Sequence, residues 1–225
     1  MEKRYLWQAS VLPAVSSGFV SPVTTVGEAS SHGDSGICSV AGTGGLACIV
    51  NGVCRTSCTE GGVLAADDIK LCQATVGDFD HYASVFLCSQ VGSIAAFQEV
   101  LEGRPEIAKT RNSVHMVLGA GRIGHAFLSE TSAEGPEGGQ AASCRKTVQE
   151  HRDVEGTVLG VRRPNYLEVG GKSRWRFVFL AEDGGCLGHL LGCSDMTLAC
   201  QITRFDGLVL DLPQAKAFSK ADIRV

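Results

Sequence analysis

The residues best equipped for chemistry lie between positions 162 and 179. Arg162-Arg163-Pro164-Asn165-Tyr166 is followed by Lys172-Ser173-Arg174-Trp175-Arg176-Phe177-Val178-Phe179. Guanidinium and ammonium groups hold phosphates, and aromatic faces stack on bases of any sequence. The cluster therefore predicts a surface for single-stranded DNA or RNA. Arg162, Arg163, Lys172, Arg174 and Arg176 would contact phosphates, and Tyr166 and Trp175 would stack. Strand alternation cuts across this surface. It puts Arg174 and Arg176 on one face and Trp175, Phe177 and Phe179 on the other, so a purely structural reading sends the aromatics into a core and the arginines into water.

A second group of candidates contains sulfur. Cys186, His189, Cys193 and Cys200 are the donor types that tetrahedral zinc prefers. Leu187, Leu190, Leu191 and Leu198 interleave them, as in a strand entering a core, so zinc stands as the alternative to no cofactor. The ten cysteines mostly sit in apolar runs such as Leu46–Val50 and Val85–Cys88. That placement predicts reduced, buried thiols in a cytoplasmic protein, with secretion as the other reading.

Two short texts resemble known sites and fail on context. Gly119-Ala120-Gly121-Arg122-Ile123-Gly124 is similar to the dinucleotide-binding fingerprint, but a Gly/Pro-rich stretch follows where the helix should run, and no acidic residue follows at the required distance. A glycine turn between two strands is expected instead. Gly33-Asp34-Ser35-Gly36 resembles the surroundings of a trypsin-like serine, yet it comes too early in the chain for that fold. A polar turn is expected there.

The elements that must position these groups are mostly strands. Short apolar runs between Gly-rich turns in the first 90 residues predict a small sheet. One helix is clear. Ile94, Phe97 and Leu101 share a face at helical spacing, Ser93 can cap the start, and Gly103 and Pro105 end it. Strand-like runs at Ser113–Leu118 and Ile123–Leu128 follow. Glu134-Gly135-Pro136-Glu137-Gly138-Gly139 then reads as a linker, placing a boundary near 140. From 154 onward about five short strands resemble an OB-fold in their order, a resemblance of architecture alone. The fold class expected is α+β and β-rich: a mixed sheet with one covering helix over 1–140, then a small OB-like β-barrel over 141–225.

Composition sets the outer bounds. The chain has 225 residues, 44% hydrophobic and 20% charged, which excludes global disorder. Its net charge of −4 gives no overall basic field. The balance is uneven: residues 1–140 carry 8 Lys+Arg against 14 Asp+Glu, and residues 141–225 carry 12 against 10. No apolar run is long enough for a membrane helix. The function expected is a non-enzymatic binding protein for single-stranded nucleic acid, with a place as accessory subunit of a larger complex as one form of that reading. A self-assembling shell or scaffold subunit and a thiol- or zinc-dependent enzyme are the alternatives.

Overall fold

The computed structural model describes residues 3–57, 63–133, 144–167, 175–220 and 223. The boundary expected near 140 lies outside them. The chain divides into two compact units, and each draws on separate stretches of sequence. Met1–Arg4, Phe79–Glu130 and Thr147–Gly207 form the first; Tyr5–Asp78, Thr131–Lys146 and Leu208–Val225 form the second.

The second unit is built on one large sheet. Its strands are β1 (Tyr5–Ala9), β2 (Thr24–Thr25), β3 (Ser35–Val40), β4 (Leu46–Val50), β5 (Val53–Thr56), β6 (Val63–Leu64), β7 (Lys70–Gly77) and β13 (Gly207–Asp211). Among the described residues the order is β13-β1-β7-β3-β4-β5-β6, with β2 also on β7. Short helices α1 (Leu12–Ser16) and α2 (Val26–Ser30) follow β1 and β2, and α5 (Lys216–Lys220) comes after β13. The Thr25 hydroxyl caps α2 by accepting from the Glu28 amide. One sheet face buries Trp7, Ile49, Leu71 and Val76 with Val26 and Ala29 of α2. Trp7 donates from Nε1 to Asp211 at 2.7 Å, fixing β13 beside β1.

The first unit holds β8 (Phe86–Val91), α3 (Ile94–Gly103), α4 (Pro105–Ala108) and four further strands: β9 (Val114–Ala133), β10 (Cys144–Arg162), β11 (Trp175–Ala181) and β12 (Leu187–Phe205). The helix expected from Ser93 onward forms as α3, and the Ser93 hydroxyl accepts from the Ala96 amide. Phe97 and Leu101 of α3 and Ile107 of α4 are fully buried against Trp175, Phe177, Phe179, Leu198 and Ile202 of the sheet.

The β-rich class holds, but the C-terminal region is not an OB-like barrel. Its strands join β8 and β9 in one sheet of order β11-β10-β9-β12-β8, with a further pairing of β11 on β12. The two strands expected at 113–118 and 123–128 are one continuous strand, paired with β12 from Val114↔Phe205 to Ser129↔His189. The glycine run is therefore extended backbone and cannot cradle a pyrophosphate. Gly121 lets β12 come close: a Cβ there would lie 2.3 Å from the Thr197 carbonyl oxygen.

Gly156 does the same for β10 and β11, since its Cβ would lie 2.2 Å from the Leu180 carbonyl oxygen. Gly156→Ala should cost about 1–3 kcal/mol by forcing these strands apart. A lower urea midpoint would show it. Gly103→Ala, with nothing within 4 Å of its added carbon, should leave the midpoint unchanged or raised.

Candidate functional site

The proposed basic surface is split by strand parity. Arg162 is paired with Trp175 across β10 and β11, and both turn into the core. Each is 2% exposed. Arg162 grips Glu102 of α3 with two bonds, Nε to Oε1 at 2.7 Å and Nη2 to Oε2 at 3.2 Å. Its Nη1 donates to the carbonyls of Arg111 and Ser113. Trp175 donates from Nε1 to the same Glu102 oxygen at 3.0 Å, and its ring stacks on Phe177. Neither side chain can reach a phosphate or a base. Both belong to a buried network that ties α3 to the ends of β10 and β11.

The other members scatter. Tyr166, in a short 3-10 turn at Asn165–Leu167, is 69% exposed and donates its hydroxyl to the Asn112 carbonyl at 2.7 Å. Arg163 is half-buried and engaged. Lys172 and Arg174 lie outside the described residues. Arg176 is half-buried and points to the sheet face away from α3.

That face gathers the groups with most chemical potential. Val178 of β11 is directly opposite His189 of β12, and His189 is opposite Ser129 of β9. Arg176 is two residues from Val178 on the same side, and diagonal cross-strand neighbours have Cβ atoms roughly 7–8 Å apart or less, within reach of long side chains. Arg176, His189 and Ser129 are all half-buried. Around them the floor is apolar: Leu159, Val161, Val178 and Leu187 are buried. None of the described residues makes an ion pair with Arg176, in contrast to Arg162. The arrangement is a fixed positive charge, an imidazole and a hydroxyl over a hydrophobic base. Such a site can bind a small oxyanion and move a proton.

The zinc quartet is not assembled. Cys193 and Cys200 are on one extended strand, seven residues and roughly 23 Å apart at 3.3 Å per residue. Cys186, Cys193 and Cys200 face the α3 core, and His189 faces away. Among the described residues no three His, Cys, Asp or Glu side chains converge to hold a metal ion. The neighbours of His189 across the strands, Val178 and Ser129, supply no second imidazole, thiolate or carboxylate. Burial also pushes Cys54 and Cys193 up to about 11, which keeps them protonated. In the other unit, Ser35 is fully buried at the start of β3, and His32 stacks on Trp7. They form neither an exposed turn nor a nucleophile–base pair.

His115 is a group the sequence did not single out. It is fully buried beside the Arg162 network, and its Nε2 is 2.8 Å from the Thr110 hydroxyl. Burial, and then the like charge of Arg162, bring its pKa down from 6.5 to about 4.

The alpha-acetolactate decarboxylase family model matches residues 6–225. Among solved structures, acetolactate decarboxylase from Bacillus subtilis strain 168 superposes with a TM-score of 0.84 at 16% identity, covering 98% of this chain and 94% of that one. The enzyme from Bacillus subtilis subspecies spizizenii gives 0.83 at 16%, covering 98% and 95%. A Staphylococcus aureus protein of unknown function, similar to alpha-acetolactate decarboxylase, gives 0.81 at 19%, covering 98% and 94%. At such identities the likeness shows the fold. No curated protein sequence matches the chain. The family match overturns the reading as a non-enzymatic accessory subunit with single-stranded nucleic acid as partner: the family is one of enzymes. No helix among the described residues is long and apolar enough to cross a membrane.

Two outcomes follow from the buried network. Glu102→Ala leaves the Arg162 guanidinium buried and unpaired, so it should cost about 3–5 kcal/mol in chemical denaturation; Glu102→Gln, which keeps acceptor and shape, should cost less. His115 gives a pH signature. The unfolded chain takes up its proton near pH 6.5 and the folded chain only near pH 4. Stability is therefore full above 6.5 and falls by about 1.4 kcal/mol per unit as pH drops between these values. His115→Asn should remove that slope from the denaturation profile.

Proposed function

The chain belongs to the alpha-acetolactate decarboxylase family, and from that premise we propose that it is a carbon–carbon lyase that removes carbon dioxide from α-acetolactate or a close 2-hydroxy-3-oxo acid. The observation that carries this reading is the family match over nearly the whole chain, 6–225. The residues of the Arg176 face support it chemically.

The substrate class has a ketone β to its carboxylate. When the bond from the carboxylate carbon to C2 breaks, its electron pair moves onto the ketone oxygen as an enediolate, carbon dioxide leaves, and C2 must then take a proton. Negative charge thus leaves the carboxylate and grows on the ketone oxygen, three bonds from the carboxylate carbon. A catalyst gains most by meeting the charge where it develops. Holding the carboxylate too well would stabilise the starting state instead.

In our reading Arg176 receives the developing enediolate oxygen with its guanidinium. His189 exchanges a proton with the ketone oxygen or with C2, as an imidazole can near neutral pH. Ser129 holds the C2 hydroxyl. The Cβ separation of Arg176 and His189 is of a size that a four- or five-carbon acid can bridge.

The test is direct. Protein incubated with racemic α-acetolactate should release carbon dioxide and the neutral α-hydroxyketone faster than the spontaneous reaction. Arg176→Met should lower kcat/KM by about 100-fold or more, the usual loss on removing an oxyanion donor, and His189→Gln by at least about tenfold. Tyr166→Phe should leave the rate unchanged. Wild-type protein that releases no carbon dioxide above the spontaneous background would refute the lyase reading. Normal rates in Arg176→Met would refute only the site.

A further inference from the structure

Two thiols meet where β8 pairs with β12. The register sets Leu198 opposite Cys88 and Cys200 opposite Phe86, so Cys88 and Cys200 are diagonal neighbours on adjacent strands. Both face the core under α3, both are buried, and both are free thiols. The Cys200 thiol donates to the carbonyl of Leu198 on its own strand, which leaves its sulfur beside that of Cys88.

Three features prepare this pair for more than packing. The first is space. Gly119 of β9 is opposite Cys200 on its other side, and a Cβ there would come within 2.8 Å of the Cys200 sulfur. The missing side chain leaves room for that sulfur to turn. The second is freedom to move. Disulfides need Cα atoms about 4.4–6.8 Å apart, slightly closer than the roughly 7–8 Å of an ordinary diagonal pair. The strand β8 is at the edge of its sheet, and its register with β12 already slips between Met196 and Leu198. A shift of about an ångström there disturbs one ladder only. The third is charge. The Arg104 guanidinium lies over the Phe86 ring at 4.1 Å, next to Cys88, and its Nε has no partner among the described residues.

We propose that Cys88 and Cys200 form a redox-active dithiol, a site of reversible oxidation by peroxides. The Cys88 thiolate attacks one oxygen of hydrogen peroxide; the O–O bond breaks, giving the sulfenic acid and hydroxide. The Cys200 sulfur then attacks the Cys88 sulfur. The S–S bond forms, the S–O bond breaks, and the departing hydroxide takes the Cys200 proton as water. In total two thiols are oxidised and one peroxide is reduced to two waters. The two thiols differ as these roles require. The neighbouring Cys200 thiol, with help from the Arg104 charge, brings Cys88 below the ordinary thiol range against the effect of burial. The neighbouring Cys88 thiol, together with burial, pushes Cys200 up. Cys38 and Cys48 are raised by burial and lack a cation among the causes of their shifts. Because the strands must shift to close it, the bond is a strained one, of the kind thiols reduce readily.

The experiment uses the full-length, folded, reduced protein and needs no enzymatic activity, so it stands apart from the lyase reading. After limited hydrogen peroxide, the protein is unfolded with an alkylating agent and digested without reductant. The expected result is a loss of two alkylatable thiols per chain, a linked peptide pair containing Cys88 and Cys200, and full recovery with dithiothreitol. Cys200→Ser should stop at a Cys88 sulfenic acid that dimedone traps, and Arg104→Gln should slow the loss of thiols severalfold. If Cys88 stays alkylatable while other cysteines oxidise, or is found linked to a different cysteine, the proposal is wrong.

Discussion

Glu102 sets the register on which the first unit depends. One of its oxygens takes both Arg162 Nε and Trp175 Nε1, and the other takes Arg162 Nη2. Three donors on one carboxylate fix the start of β11 against the end of β10 with Trp175 facing α3. Side chains alternate along a strand, so once Trp175 is pinned, every later residue of β11 has its face assigned. Phe177 and Phe179 join the core. Arg176 and Val178 are sent to the other side, where the β11–β12 pairing sets Val178 opposite His189. A one-residue slip would bury Arg176 and move the aromatics out. The buried ion pair therefore specifies a register more than it adds stability, since desolvation offsets much of its attraction.

Local structure was legible in the sequence wherever it depends on neighbours in the chain. The helix α3 follows from Ile94, Phe97 and Leu101 at helical spacing with Ser93 as cap. The part of β10 from 154 to 162, and the strands β11 and β13, follow from short β-rich runs between glycine turns. What could not be read was which strand pairs with which. The strand β9 finds β12 in register from Val114↔Phe205 to Ser129↔His189, across a large part of the chain, and no spacing rule encodes such a choice. That pairing also explains why Gly119 to Gly124 read as a turn. Glycine weakens a strand in isolation but suits one whose partner backbone comes very close, as Thr197 does at Gly121. The OB-like barrel expected from 154–212 does not form, because those strands pair with β8 and β9. The missing half of the sheet lay upstream.

The site was legible in its residue types and not in its geometry. Arg176 and His189 both stood out, one as a phosphate ligand and the other as a zinc ligand, and no local signal joined them. Their meeting depends on β11 folding back on β12. In the sequence, Arg162 and Arg163 stand as equals of Arg176. Only the distant Glu102 separates them, by giving Arg162 a partner inside the core. Identity to the solved relatives is only 16–19%, and the family match runs over residues 6–225.

Arg162 and Arg176 lie on adjoining strands of one sheet, and their contrast shows how a fold separates a charge it uses internally from one it leaves available to a ligand. An arginine taken fully out of water needs a counter-charge and acceptors for its donors, and Arg162 has both in Glu102 and two carbonyls. Its field is spent inside the protein. Arg176 is only half-buried, so it keeps part of its hydration, and among the described residues no carboxylate neutralises it. The apolar floor of Leu159, Val161 and Val178 cannot compete with an incoming oxyanion for its donors, and it lowers the local dielectric so that such an anion is held more strongly than in water. A guanidinium kept half-wet, uncompensated and beside an imidazole remains available to a ligand. Parity counted from Trp175 is what leaves this arginine in that state.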